Sequence, residues 1–200
     1  MLFRSSKTDH GMILSAALKE LATGGIRDLS LRNIAASLGL APNAIYRYFS
    51  DRRALEAAIS SEAARQMEMA LRKAAEGYEP VVAIRKMSSA YIKFARDNRS
   101  LYEAMIGFHA PEHDASRHES LWAFTVEQVQ RIAGSDRAPQ ASVALWAFLH
   151  GAVLLDAAQV LGELKPASGL AFGLEAWLMA VSTPDGPLKE PRIKAVKKRR

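Results

Sequence analysis

Residues 30–55, SLRNIAASLGLAPNAIYRYFSDRRAL, constrain the fold more than any other stretch of the chain. Ser30 is a good N-cap, and Leu31, Ile34, Ala35 and Leu38 follow it at helical spacing. Gly39 closes that helix. Pro42 opens another, which runs to about Phe49, because proline's missing N–H costs nothing in a first turn. Ser50 and Asp51 cap a third. The first two helices are each about two turns long, and helices that short do not stand alone in water. They need a supporting helix, expected over about Thr8–Thr23 with Ile13, Ala17 and Leu21 as its buried stripe and Gly24-Gly25 as its left-handed end. Ile34, Leu38, Leu40, Ile45 and Phe49 are the residues that would pack on it. That leaves Asn43, Tyr46, Arg47 and Tyr48 on an outer face. An α-helix bearing such donors and acceptors fits the major groove of DNA, where base edges are distinguishable. Arg32 and Arg52 flank it, and the N-termini of the second and fourth helices offer N–H groups to phosphates.

The charge distribution agrees with this placement. The net charge is +6 overall, but residues 1–55 carry +4, residues 56–188 carry −4 and residues 189–200 carry +6. A basic N-terminal module facing phosphate and a body that does not is the expected division. The tail KEPRIKAVKKRR reads as a flexible basic arm, with DNA contact and plain solvation equally open. There are no cysteines, which removes disulfides, thiol nucleophiles and thiolate metal sites. The N-terminus shows no apolar signal region and no uninterrupted apolar run reaches membrane-spanning length, so a soluble cytoplasmic protein without membrane association is expected.

The rest of the chain reads as helices, without strand-like alternation. The helix capped by Ser50-Asp51 extends to about Ala75, with Leu55, Ile59, Ala63 and Met67 in line. Gly77 and Pro80 interrupt it. Further helices are expected over 79–97 (Met87, Tyr91, Phe94), 100–108, and from a polar loop HAPEHDASRHE to Gly134 (Trp122, Val126, Val129). An eighth covers about 139–161 and a ninth about 168–181. The middle of the eighth, VALWAFLHGAVLL, is apolar almost all round, so it must be covered on two sides. Its own core supplies one cover and a second subunit the other. The fold class is therefore all-α, with about nine helices. Residues 1–51 are expected to form a three-helix DNA-binding domain, 52–183 a larger helical domain with a dimerisation face, and 184–200 a flexible basic tail.

The residues Ile13, Leu14, Ala16, Ala17, Gly25, Ser30, Leu31, Ile34, Ala35, Gly39, Ile45, Tyr46, Tyr48, Phe49 and Leu55 resemble, without interruption, the DNA-binding domain of the tetracycline-repressor (TetR) family. The segments AYIKFARDNRSLYEAMIG and LWAFLHGAVLL resemble a branch of that family with a Trp, His-Gly signature, here Trp146, His150 and Gly151. The resemblance implies a homodimer, paired through the eighth and ninth helices. It also implies a pseudo-palindromic double-stranded DNA operator, a small-molecule effector and, most often, repression relieved by that effector. Ser30, Arg32, Pro42, Asn43, Tyr46, Arg47, Tyr48 and Arg52 become candidate DNA contacts, Arg52 standing where the family usually has Lys. Ala41 departs from the Ser or Thr frequent at that N-cap.

Met67, Tyr91, Phe94, Tyr102, Met105, Trp122, Trp146 and His150 are candidates for an effector pocket, although at helical spacing most such residues are core. His109, Glu112, His113, Asp114 and His118 match no compact metal signature, so neither metal nor cofactor is expected. No phosphate-binding loop, dinucleotide fingerprint or nucleophile elbow occurs, and no enzyme is expected. The alternative is a helical small-molecule carrier or enzyme without specific DNA binding.

Overall fold

The computed structural model describes residues 9–108, 116–159 and 166–183. Among them are eight α-helices and one 3₁₀ helix. They are α1 (His10–Asp28), α2 (Leu31–Ser37), the 3₁₀ helix (Pro42–Arg47), α3 (Arg52–Ala75), α4 (Pro80–Asp97), α5 (Arg99–Gly107), α6 (Ser116–Ala133), α7 (Ala138–Ala158) and α8 (Pro166–Ser182). No strand occurs among the described residues. The basic tail, most of the polar loop and residues 160–161 lie outside them; the eighth helix, expected to about 161, ends at Ala158, where Gln159 takes a left-handed conformation with φ 54°.

Asp9 starts α1 by accepting a hydrogen bond from the Met12 amide at 2.9 Å. Ile13, Ala17 and Leu21 are buried on one face as the spacing requires. The expected left-handed end at Gly25 is corrected in detail. Gly25 breaks the helix with φ 71° and ψ −174°, an extended conformation open essentially to glycine alone, and helical residues resume as far as Asp28. The chain keeps turning because Ile26 and Leu29 still pack on the core that α1 serves. Ser30 then caps α2 through the Asn33 amide, and Gly39, at φ 68°, turns the chain toward Pro42.

The next element is also tighter than expected. Pro42–Arg47 forms a 3₁₀ helix rather than an α-helix, with Ala44 N donating to Ala41 O and Tyr48 N to Ile45 O, each at 2.9 Å. Ala41 provides no capping side chain and Pro42 no N–H. A segment this short, uncapped at its start, gains little from a full α-helical turn. Ile45, fully buried, and Phe49 fasten it to α1 and α2.

Asp51 caps α3, accepting from the Ala54 amide at 2.8 Å. Its first half completes the N-terminal core with Leu55 and Ile59. Its second half enters a separate core with Ala63, Ala64, Met67 and Leu71, which α4 to α8 surround. α5 also touches both: Ala104 belongs to the first core and Tyr102 and Met105 to the second.

α7 is long and apolar enough to cross a membrane by composition. In this fold it buries Ala138, Ala141, Ser142, Leu145 and Leu149 inward and leaves Val143, Leu154 and Leu155 exposed. α8 crosses it closely: a Cβ on Gly173 would lie 2.4 Å from the Phe148 ring. Arg137 donates to the Ala180 and Thr183 carbonyls at 2.8 and 2.6 Å, satisfying the end of α8. Trp177 donates to the Ala141 carbonyl at 3.1 Å, and a bidentate Arg85–Glu175 pair ties α4 to α8 at 2.7 Å.

Gly25→Ala puts a Cβ on a backbone that tolerates none. It is expected to lower unfolding stability by about 1–3 kcal/mol in urea titrations. Unchanged stability would show that α1 does not need this break.

Candidate functional site

Two features stand out, one in each core. On the N-terminal unit, Pro42, Asn43, Tyr46 and Arg47 are exposed along the 3₁₀ helix, and Arg32 is exposed in the first turn of α2. Residues i and i+3 eclipse in a 3₁₀ helix, so Asn43 and Tyr46 share one line on the outer face. Tyr46 leaves 51% of its surface exposed although the side chain is large and aromatic. Ser30 is half-buried and occupied as the cap of α2. Arg52 is exposed at the start of α3, where it pairs with Glu56 at 2.7 Å.

Tyr48 departs from the expected outward position. It is half-buried, with the His10 ring edge-on at 5.6 Å. Three residues per turn bring it into line with the fully buried Ile45, which turns it toward α1.

In the second core, a cavity of about 270 Å³ lies between α3, α4, α5, α6 and α7. Tyr91, Met105, Trp122 and Trp146 line it as the sequence suggested. Met67 and Phe94 do not: both are buried in the packed core, and neither is on the cavity wall. Sequence reasoning missed Leu71, Met87, Ser88, His118 and Thr125, which the wall includes. Small polar residues on otherwise apolar helix faces, such as Ser88 between Ile84 and Tyr91, are the signal that was available. Among the described residues no Lys, Arg, Asp or Glu faces this cavity.

Several of its polar groups are already engaged. Ser88 donates to the Ile84 carbonyl and Thr125 to the Leu121 carbonyl, both at 2.9 Å. Ser60, fully buried behind the wall, donates to the Met105 carbonyl at 3.2 Å and meets His118 Nε2 at 3.1 Å. Since the one Ser60 proton goes to Met105, His118 Nε2–H donates to Ser60. No cluster of metal-ligating residues occurs among the described residues, and His109, Glu112, His113 and Asp114 lie outside them.

Tyr102 and His150 sit on the far side of the wall. They face a polar cleft of about 850 Å³ that Lys93, Arg96 and Asp156 also border. A row of hydrogen bonds joins the two spaces. Trp146 Nε1 donates to Tyr91 Oη at 3.2 Å, the Tyr91 and Tyr102 hydroxyls meet at 2.8 Å, and Tyr102 Oη meets His150 Nδ1 at 2.5 Å. Burial, followed by the neighbouring Tyr102, pushes the Tyr91 phenol far above its ordinary range, and burial raises Tyr102 too. Both hydroxyls therefore stay protonated and act as neutral hydrogen-bonding groups.

Comparison with known proteins decides the family. Residues 13–59 match the profile of bacterial regulatory proteins of the tetR family, and residues 84–172 match the tetracyclin repressor-like C-terminal domain. The chain belongs to the TetR family. As a member it is a ligand-responsive, DNA-binding transcriptional regulator. Solved structures share the fold at low identity. A protein of unknown function from Rhodococcus sp. RHA1 is 22% identical, with 90% of this chain and 100% of that one covered and a TM-score of 0.76. A TetR-type transcriptional regulator from Streptomyces coelicolor is 18% identical, with 90% and 100% covered and a TM-score of 0.72. A single-residue variant of TetR from Acinetobacter baumannii AYE, solved in complex with minocycline, is 20% identical, with 86% and 96% covered and a TM-score of 0.66. No curated protein matches the chain at a significant level.

The phenol shifts of this TetR-family protein have a measurable consequence. An acid whose folded pKa is raised above its unfolded value favours folding while it keeps its proton. That contribution is lost as pH climbs past the ordinary phenol value of 10.0. Absorbance titration at 295 nm should show Tyr91 and Tyr102 ionising only with unfolding, and Tyr91→Phe should make the alkaline loss of stability shallower. Reversible ionisation of every tyrosine in the folded state would contradict the buried row.

Proposed function

We propose that this regulator is a homodimeric repressor that leaves its operator when a small molecule occupies the 270 Å³ cavity. The observation behind the DNA-binding half is the exposed line of Asn43 and Tyr46, flanked by Arg47, Arg32 and Arg52, on short elements whose inner face (Ile34, Ile45 and Phe49) is packed. Asn43 and Tyr46 reach base edges in the major groove, with Pro42 against the groove wall. Arg32, Arg47 and Arg52 hold phosphates, together with the α2 N-terminus that Ser30 caps. The missing cap at Ala41 makes the operator preference this chain's own. We infer a reading unit of about residues 1–51, an effector unit of about 52–183 and a basic tail beyond them. A cytoplasmic location and a regulator rather than an enzyme follow from the same reading.

Dimerisation is supported by the outer stripe of α7 and α8. Val143, Leu154, Leu155, Phe172 and Met179 are all exposed, Phe172 at 79% and Met179 at 73%. Apolar exposure of that extent on two adjoining helices marks an interface. Two copies joined there present two reading helices to successive major grooves of a pseudo-palindrome, about 34 Å apart. In the release mechanism, an occupant displaces Met105 in α5. Ala104, the preceding residue, sits in the core of the reading unit, so the reading helices shift. Release follows only if the effector binds the displaced state more tightly.

DNA selected from a random pool by the purified protein, then footprinted, tests the reading. Tyr46→Ala combined with Arg32→Ala should abolish the footprint, with each lost contact costing about 1–3 kcal/mol, while the protein stays folded. Full protection by that variant would refute the placement of these residues. Phe172→Glu with Met179→Glu should sediment as a helical monomer and lose operator binding. A dimer that survives both charges would place the interface elsewhere.

A further inference from the structure

The cavity in the second core has a chemistry narrower than its place in the fold requires. Among the described residues its wall holds two tryptophans, Met87 and Met105, and leucines, but no Lys, Arg, Asp or Glu. An ammonium brought there would lose its hydration with no opposite charge to meet it, and a carboxylate would find only His118, whose Nε2–H already serves Ser60, so the wall disfavours ions. The volume sets the size. An apolar protein cavity of about 150 Å³ holds one benzene ring, so 270 Å³ suits two fused rings with a small substituent. The flat faces of Trp122 and Trp146 favour aromatic partners, and the flexible methionines adapt to their outline.

The polar groups narrow the class further. Ser88 and Thr125 have given their protons to backbone carbonyls of their own helices. His118 Nε2–H is spent on Ser60. Tyr91 is different, because its proton belongs to a row that can run either way. When His150 Nδ1 accepts, protons run from Trp146 through Tyr91 and Tyr102 to His150, and Tyr91 Oη keeps a free lone pair. When His150 carries its proton on Nδ1, the run between Tyr102 and Tyr91 reverses. Tyr91, a residue of the cavity wall, then accepts from both Trp146 and Tyr102, and its own proton is committed to neither. The reversal needs only a change of imidazole tautomer. His150 borders the polar cleft, where its other ring nitrogen can exchange with water.

We propose that the effector is an uncharged aromatic compound of about two fused rings carrying one hydroxyl or carbonyl group, which the Tyr91 hydroxyl recognises. This rests on the reading of the 270 Å³ cavity as the effector site. The Tyr91–Tyr102–His150 row supplies an acceptor to a hydroxyl and a donor to a carbonyl, so one site reads either group. A purely apolar compound of the same shape leaves Tyr91 with an unused partner position, and a carboxylate leaves a charge unpaired.

Equilibrium dialysis of the full chain without DNA tests this independently of operator binding. Failure of the DNA-binding proposal therefore leaves this result standing, and the reverse also holds. Four probes share one ring system: 2-naphthol, 2-acetylnaphthalene, 2-ethylnaphthalene and 2-naphthoate. At pH 7 the first two should bind about fivefold more tightly than 2-ethylnaphthalene and at least about tenfold more tightly than 2-naphthoate. Tyr91→Phe should erase the advantage over 2-ethylnaphthalene while leaving 2-ethylnaphthalene binding unchanged. Tyr102→Phe, a second variant, frees the Tyr91 proton and should retain the preference for 2-acetylnaphthalene. Binding of 2-naphthoate as tight as that of the neutral probes, pairing with a charged His118, would overturn the proposal. So would an advantage that survives Tyr91→Phe, or failure of all four probes to bind.

Discussion

The packing of α3 into two separate cores is the constraint on which the rest of the structure depends. The helix has 24 residues, which at 1.5 Å per residue spans about 36 Å. Leu55 and Ile59 at one end complete the core that supports the short reading helices. Ala63, Ala64, Met67 and Leu71 at the other end are walled in by the C-terminal helices. Neither α2 nor the 3₁₀ helix is long enough to persist alone. The presentation of Asn43 and Tyr46 therefore depends on contacts that α3 shares with a core two turns away. α5 repeats the arrangement on a smaller scale. Ala104 is in one core and Met105 on the cavity wall of the other. In interiors packed to near crystal density, neighbours so placed cannot move independently.

The polar groups divide into those that hold the fold and those that face a choice. Arg137 on the end of α8 and Trp177 on the Ala141 carbonyl have fixed donors and fixed acceptors. The Arg85–Glu175 pair between α4 and α8 is solvent-exposed, so its screening leaves it a guide to register more than a source of stability. The row from Trp146 to His150 has hydroxyls at its centre, which donate or accept as the ends dictate. It separates a cavity without Lys, Arg, Asp or Glu from a cleft that Lys93, Arg96 and Asp156 border, and its proton order is a state that a small molecule can change.

Much of the fold was legible because local rules governed it. Ser30 and Asp51 cap helices as their positions suggested, and the stripe Ile13, Ala17, Leu21 is buried. The helix-turn-helix spacing over 30–55 placed Arg32, Asn43, Tyr46 and Arg47 on the exterior. Where competing local effects are close in energy, the local pattern does not decide the outcome. Ala41 and Pro42 tip a short helix from α to 3₁₀, and that rotation takes Tyr48 inward. The cavity was only half legible. Met67 and Phe94 have the same residue character and periodicity as Met105 and Tyr91, yet they fill the core. What separates them is which helix lies opposite, and periodicity along one helix says nothing about that. The Tyr102–His150 and Tyr91–Trp146 bonds join residues 48 and 55 positions apart, which no local pattern encodes.

In the proposed release mechanism the reading face and the cavity are energetically one system, coupled through α3 and α5. Such coupling is reciprocal, so a ligand that weakens operator binding must be bound more weakly by the same factor when operator is present. The most direct test is to titrate 2-acetylnaphthalene by calorimetry into the free protein and into its saturated complex with the selected operator. The affinity in the complex should be lower, by the same factor by which the compound reduces operator affinity. Equal affinity with and without operator would contradict it.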